Sequence, residues 1–219
     1  MTFSIVARDP TTGALGVATA TAGPMVGALV PHGKGGVGAV ATQAMTNPYL
    51  AVDTLAALAD QPVDTALKAA LSRDPDASLR QIVVVDADGA VDGWTGGDCV
   101  PYAGHLTAPD VAVAGNMLVG PKVLEDMLAA FCADQSAGLG QGLLRALMAG
   151  AAAGGDSRGI GSTALRVFGA EAYPDLDLRV DVSDTPMARL SQLLAEATSG
   201  AYADFFATLP RRGTDTAAD

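Results

Sequence analysis

At 219 residues, 49% hydrophobic and 17% charged, the chain is long and apolar enough to bury a core, which excludes a disordered protein. Its formal charge of −11 repels phosphate backbones, so no nucleic-acid partner is expected. No apolar run free of Gly, Pro and charge reaches the roughly 18 residues of a membrane-spanning helix, so no membrane partner is expected either.

The start of the chain shows neither the basic residues nor the apolar stretch of a signal peptide, which makes a cytoplasmic location the expectation. The two cysteines, Cys99 and Cys132, have no CxxC spacing. The two histidines, His32 and His105, lie in no HExxH pattern, so neither a metal nor another cofactor is expected.

Residues 3–8 (FSIVAR) read as a strand, turned by Pro10 and Gly13 into a second strand, ALGVATATA. A glycine-rich connection with one short strand leads to the strand VGAVATQA. A helix follows, with Asn47 as its N-cap and Pro48 at its first position. In the next helix Val63, Ala66, Leu67, Ala70 and Leu71 form an apolar stripe. RQIVVVDADGAVDGWTG is a hairpin around Asp88-Gly89. VAVAG is a further strand, followed by two helices, the second ended by Gly154-Gly155. STALRVF and LDLRVDV are late strands. One closing helix begins at Thr185-Pro186 and runs through SGAYADFFATL, and RRGTDTAAD forms a solvated tail.

Strands that arrive as hairpins favour antiparallel sheets with segregated helices, an α+β class. Five helical stripes and the sheet faces are all covered if two sheets stack with helices on both outer surfaces. This predicts a single four-layer αββα domain over residues 1–210 with a tail at 211–219; a two-layer α+β domain is the alternative. Exposed sheet edges and a glycine-rich surface make a homodimer the expected assembly.

HGKGGVGAV has the look of a phosphate loop. The positions that would need a second lysine and a Ser or Thr hold Ala39 and Val40, and the segment after it reads as strand. These glycines serve a bend between strands.

FSIVARDPTTGALGVA, VGAVATQAMTNP, AGNMLVG, AAGGDSRG and DLRVDVSDTP together resemble the bacterial and archaeal DUF1028 family over about residues 2–195. The resemblance implies an N-terminal-nucleophile hydrolase-like fold, in agreement with the sandwich. It also implies that Thr2, exposed by removal of Met1, attacks an amide carbonyl with its own α-amine as base. A small second residue favours that removal. Two departures matter: Ala114 stands where relatives often carry Gln, and Val182-Ser183 replace an Asp-His pair, so no role passes to those positions.

Other groups are candidates by residue type. Ser4 shares a strand face with Thr2. Asp9 and Lys34 are placed only loosely near the nucleophile and read as solvated turn residues. Thr42, Gln43 and Asn47 gather polar groups at a strand–helix turn, suited to oxyanion or substrate contacts; capping is the plain role of Asn47. Asn116 lies at a second such corner. Asp156 and Arg158, between glycines, either clamp a loop as an ion pair or hold a charged substrate end. His105 could line a pocket, and Cys99 with it would resemble a thiol–base pair, although six residues of spacing do not make a spatial pair.

The expected activity is amide hydrolysis of a small amide or peptide-like substrate. Thr2, Asn47 and Asn116 would be catalytic, and Gln43, Asp156, Arg158 and His105 would contact substrate. The alternative is a non-catalytic binding or structural protein on the same fold.

Overall fold

Period-two alternation in the first strand decides how it is buried. In β1 (Thr2–Arg8), Phe3, Ile5 and Ala7 point to one face while Thr2, Ser4 and Val6 point to the other, and every residue but Arg8 is buried. The computed structural model describes residues 2–134 and 136–212. β1 pairs on one side with β2 (Leu15–Thr21) and on the other with a strand from the middle of the chain.

The next strands are β3 (Pro31–Lys34), β4 (Gly38–Ala44), β5 (Arg80–Asp86), β6 (Val91–Thr95), β7 (Gly104–Ala108), β8 (Val111–Asn116), β9 (Ser162–Phe168) and β10 (Leu176–Val180). They form a six-stranded sheet ordered β10-β9-β2-β1-β8-β7 and a four-stranded sheet ordered β3-β4-β5-β6. Every pairing is antiparallel. Among the described residues there are six α-helices: α1 (Pro48–Ala57), α2 (Val63–Leu71), α3 (Lys122–Ala133), α4 (Leu139–Ala152), α5 (Pro186–Ala197) and α6 (Gly200–Ala207).

Three apolar clusters hold these elements. The first joins Phe3, Ile5, Val113 and Leu165 of the larger sheet to Met127, Phe131, Leu143, Leu147, Leu190 and Leu194 of α3, α4 and α5. The second contains residues of both sheets, among them Val6, Val17, Ala112 and Ala114 facing Ala39, Ala41, Val83 and Val85. The third sets Val40, Ile82 and Val84 against Leu50, Ala51, Val63 and Leu67 of α1 and α2. Each fully buried Leu, Ile or Phe here contributes about 1.5–3 kcal/mol by leaving water. The chain is thus a mixed α/β protein with two antiparallel sheets.

Two expectations are corrected. The segment GHLTA, passed over as a strand, is β7, an edge strand held by β8 through Leu106↔Val113 and Thr107↔Ala112. The closing helix is two helices, because α5 stops at Thr198 and Gly200 adopts a left-handed φ of 59°. The Lys34–Gly38 stretch is the β3–β4 turn, closed by Val37 N–H donating to the Lys34 carbonyl, as the strand reading anticipated. Cys99 and Cys132 are both free thiols. Residues 213–219 of the expected tail lie outside the described residues.

Candidate functional site

The same alternation carries polar residues into the space between the sheets at one end. On β1, Val6 gives way to Ser4 and Thr2; on β2, Val17 to Thr19 and Thr21; on β8, Ala112 and Ala114 to Asn116. On the facing sheet, Ala39 and Ala41 lead to Gln43, and Val85 and Val83 lead to Gln81. Register aligns these positions: Thr2 is paired with both Thr21 and Asn116, and Gln43 with Gln81. All seven polar residues are buried.

They are bonded as one network. The Thr2 hydroxyl meets that of Thr21 at 3.2 Å, and Ser4 Oγ donates to Gln43 Oε1 at 2.6 Å. Gln43 Nε2 donates to the Thr2 carbonyl at 3.3 Å and to Gln81 Oε1 at 2.8 Å. Asn116 Nδ2 donates to the same Gln81 oxygen at 3.1 Å. The Gln81 amide nitrogen faces the carbonyls of Gly104 and Gly115 and the hydroxyl of Thr95. Thr95 Oγ1 in turn lies 2.9 Å from His105 Nδ1. Burial lowers the pKa of His105, against the opposing charge of Asp92, so the ring is neutral near pH 7.

A cleft of about 350 Å³ opens at Asn116. Ala44 and Met45 form one wall, Asp98, Cys99 and Val100 another, with Leu79 and Met117 completing it. Ala44 (φ 71°) and Met117 (φ 53°) both hold left-handed backbone, a conformation costing about 1 kcal/mol or more for side-chain-bearing residues and concentrated at functional sites. Cys99 Sγ donates to the Arg80 carbonyl, and burial together with Asp98 raises its pKa, so the group is a thiol rather than a thiolate.

The structure gathers the sequence-derived candidates unevenly. Thr2, Gln43 and Asn116 come together, and His105 joins them at the far end of the network. Thr2 itself is 7% exposed and is not among the residues lining the cleft, because its side chain lies in the space between the two sheets, bonded to Thr21. Asn47 caps α1 through Tyr49 N–H and gives its amide nitrogen to Asp74, so it braces the turn beside Met45. Thr42 points to the opposite face of β4, away from the polar seam, where it is fully buried and donates to the Asn47 carbonyl. Asp156 is 3% exposed; it accepts from Ala22 N–H just beyond β2 and pairs with Arg158, the clamp of the two readings. Cys99 and His105 bond to different partners and make no pair.

Gln81 and Thr21 were missed by the sequence reading. The signal was present, as a polar residue at an inward position continuing the alternation Val85, Val83, Gln81.

The model of the family of unknown function DUF1028 matches residues 2–190. This chain belongs to the DUF1028 family. The DUF1028 chain is also similar to the crystal structure of protein SPO2555 from Silicibacter pomeroyi, itself matched to DUF1028, at 33% identity and a TM-score of 0.89, covering 95% of this chain and 91% of that one. A second solved structure, Anbu (ancestral beta-subunit) from Yersinia bercovieri, aligns at 12% identity and a TM-score of 0.42 over 95% of this chain and 98% of that one. No curated protein matches the DUF1028 chain. No helix among the described residues is long and apolar enough to cross a membrane.

Proposed function

We propose that this DUF1028 protein is an amide hydrolase of the N-terminal-nucleophile type, built as a four-layer αββα sandwich, with Thr2 as nucleophile once Met1 is removed. The observation that carries this reading is the polar end of the space between the sheets. Seven buried polar side chains, Thr2 among them, replace an otherwise apolar seam, an arrangement more costly to desolvate than continued apolar packing, and Thr21 and Gln43 bond to Thr2 directly.

In this reading the freed α-amine, with an ordinary pKa of about 7.7–8.0, accepts the proton of Thr2 Oγ1 as that oxygen attacks the substrate carbonyl. The tetrahedral oxyanion accepts a hydrogen bond from the second N–H of Asn116 Nδ2, whose first donates to Gln81 Oε1. Collapse breaks the C–N bond, the leaving amine takes the proton from the ammonium, and an ester to Thr2 remains. Water, deprotonated by the same amine, attacks that ester and restores the hydroxyl as the acid departs. Gln43 fixes the Thr2 carbonyl throughout. Asn47 has no part in this scheme, since both ends of its amide are engaged.

A second reading, a non-catalytic binding protein, is favoured by the low exposure of Thr2 and its bond to Thr21. Intact mass of protein from its own cells, with a panel of amino-acid amides and short peptides, separates the two. Loss of Met1 and hydrolysis abolished in Thr2→Ala are expected; a retained Met1 overturns the hydrolase.

A further inference from the structure

Beyond its place beside Asn116, the cleft has a chemistry of its own. Its volume of about 350 Å³ lies at the small end of ligand sites, the size of a single amino-acid derivative or a dipeptide. Met45 and Val100 are 61% and 54% exposed, unusually open for such side chains, and Leu79 and Met117 continue the apolar lining between them. A compact hydrocarbon group is what such walls take from water.

One lining residue is charged, Asp98, and it is exposed, without an ion pair among the described residues. Arg80, the nearby cation in sequence, is spent: Nε and Nη2 contact Asp74 and Asp76, and Nη1 donates to the Met45 carbonyl. An anionic ligand would therefore meet Asp98 uncompensated, within a protein of net charge −11. A ligand ammonium would find the partner that Asp98 lacks.

We infer that this cleft selects amides of apolar α-amino acids bearing a free ammonium group, with the hydrocarbon side chain between Met45 and Val100 and the cation on Asp98. The inference rests on the amide-hydrolase reading for its chemistry but not for its binding. That separation sets the experiment.

Full-length Thr2→Ala protein, which cannot turn over, is titrated by calorimetry with leucinamide, N-acetyl-leucinamide and N-succinyl-leucinamide. Leucinamide is expected to bind at least about tenfold more tightly than either blocked form, and Asp98→Asn in the same background is expected to remove that preference. Asp98 is exposed, so folding is not at stake in the variant. Equal affinities for the three probes, or a preference untouched by Asp98→Asn, overturn the inference. If leucinamide binds through Asp98 and unmutated protein hydrolyses none of the probes, the cleft assignment stands and the hydrolase falls. If amides are hydrolysed without regard to the ammonium, the reverse holds.

Discussion

The side-chain amide of Gln43 reaches across from the smaller sheet and donates to the backbone carbonyl of Thr2 at 3.3 Å. A strand residue's carbonyl is ordinarily satisfied within its own sheet. Here a residue of the opposite sheet fixes the position of Thr2, and Ser4 holds that amide in turn.

Thr2→Ser keeps an oxygen at this place and is expected to retain activity on amino-acid amides within about tenfold, whereas Thr2→Ala is expected to lose at least about a thousandfold in kcat/KM. Removing one hydrogen bond costs about 1 kcal/mol, so urea denaturation of the two variants should show little difference from the parent. Equal turnover by Thr2→Ala would exclude Thr2 as nucleophile.

Gln81→Leu strips partners from Gln43, Asn116 and the carbonyls of Gly104 and Gly115 at once. The expected destabilisation is about 3 kcal/mol or more, since each buried polar group left unpaired costs about 1–3 kcal/mol. Equilibrium denaturation measures it, and Gln81→Glu at low pH, where the carboxyl is protonated, should recover part of the loss.

The Arg80 guanidinium, with Asn47 and a backbone N–H, holds the pKa of Asp74 down to about 2. A carboxyl whose folded pKa is depressed contributes stability above its unfolded value, near 4, and loses it as pH falls towards the folded one. The stability gap between the protein and Asp74→Asn should therefore be widest above about pH 4 and close towards pH 2. Denaturation midpoints collected across that interval test this; a gap independent of pH would contradict the Asp74–Arg80 assignment.

Alkylation should separate the two thiols. Cys132 is exposed, whereas Cys99 is partly covered, bonded to the Arg80 carbonyl, and kept protonated by burial and by Asp98. Iodoacetamide at pH 8 is expected to label Cys132 first, by about tenfold or more, as read by peptide mass spectrometry.

Much of the fold was legible because several hairpins carried their own turn chemistry. Pro10 with Gly13 and Asp88 with Gly89 marked reversals between apolar runs, and Asn47-Pro48 announced a helix start. What stayed hidden had no strong signal in its own segment or was set by partners distant in sequence. β7 has few residues that favour strand on their own and exists because β8 offers it a ladder. The break between α5 and α6 rests on one left-handed glycine inside a run of helix formers. At the site, Thr2, Gln43 and Asn116 stood out by type and position. Gln81 did not, because only the register of β4 and β5 shows that a glutamine at the start of a valine-rich strand lies beside Gln43. The clamp role of Asp156 likewise depends on Ala22, far away along the chain.

The placement of β1 between two neighbours has a bearing on motion. A strand laddered on both sides gives up its amide hydrogens to exchange among the last in a protein, while loops open on far shorter timescales. The strand that carries Thr2 is therefore among the last parts of the chain to open. Residues 98–102 and 117–118 are tied to each other by Met117 to Val100 and by the reciprocal Tyr102–Leu118 bonds. Joined in this way, the two loops are expected to exchange their amide hydrogens together and sooner than β1.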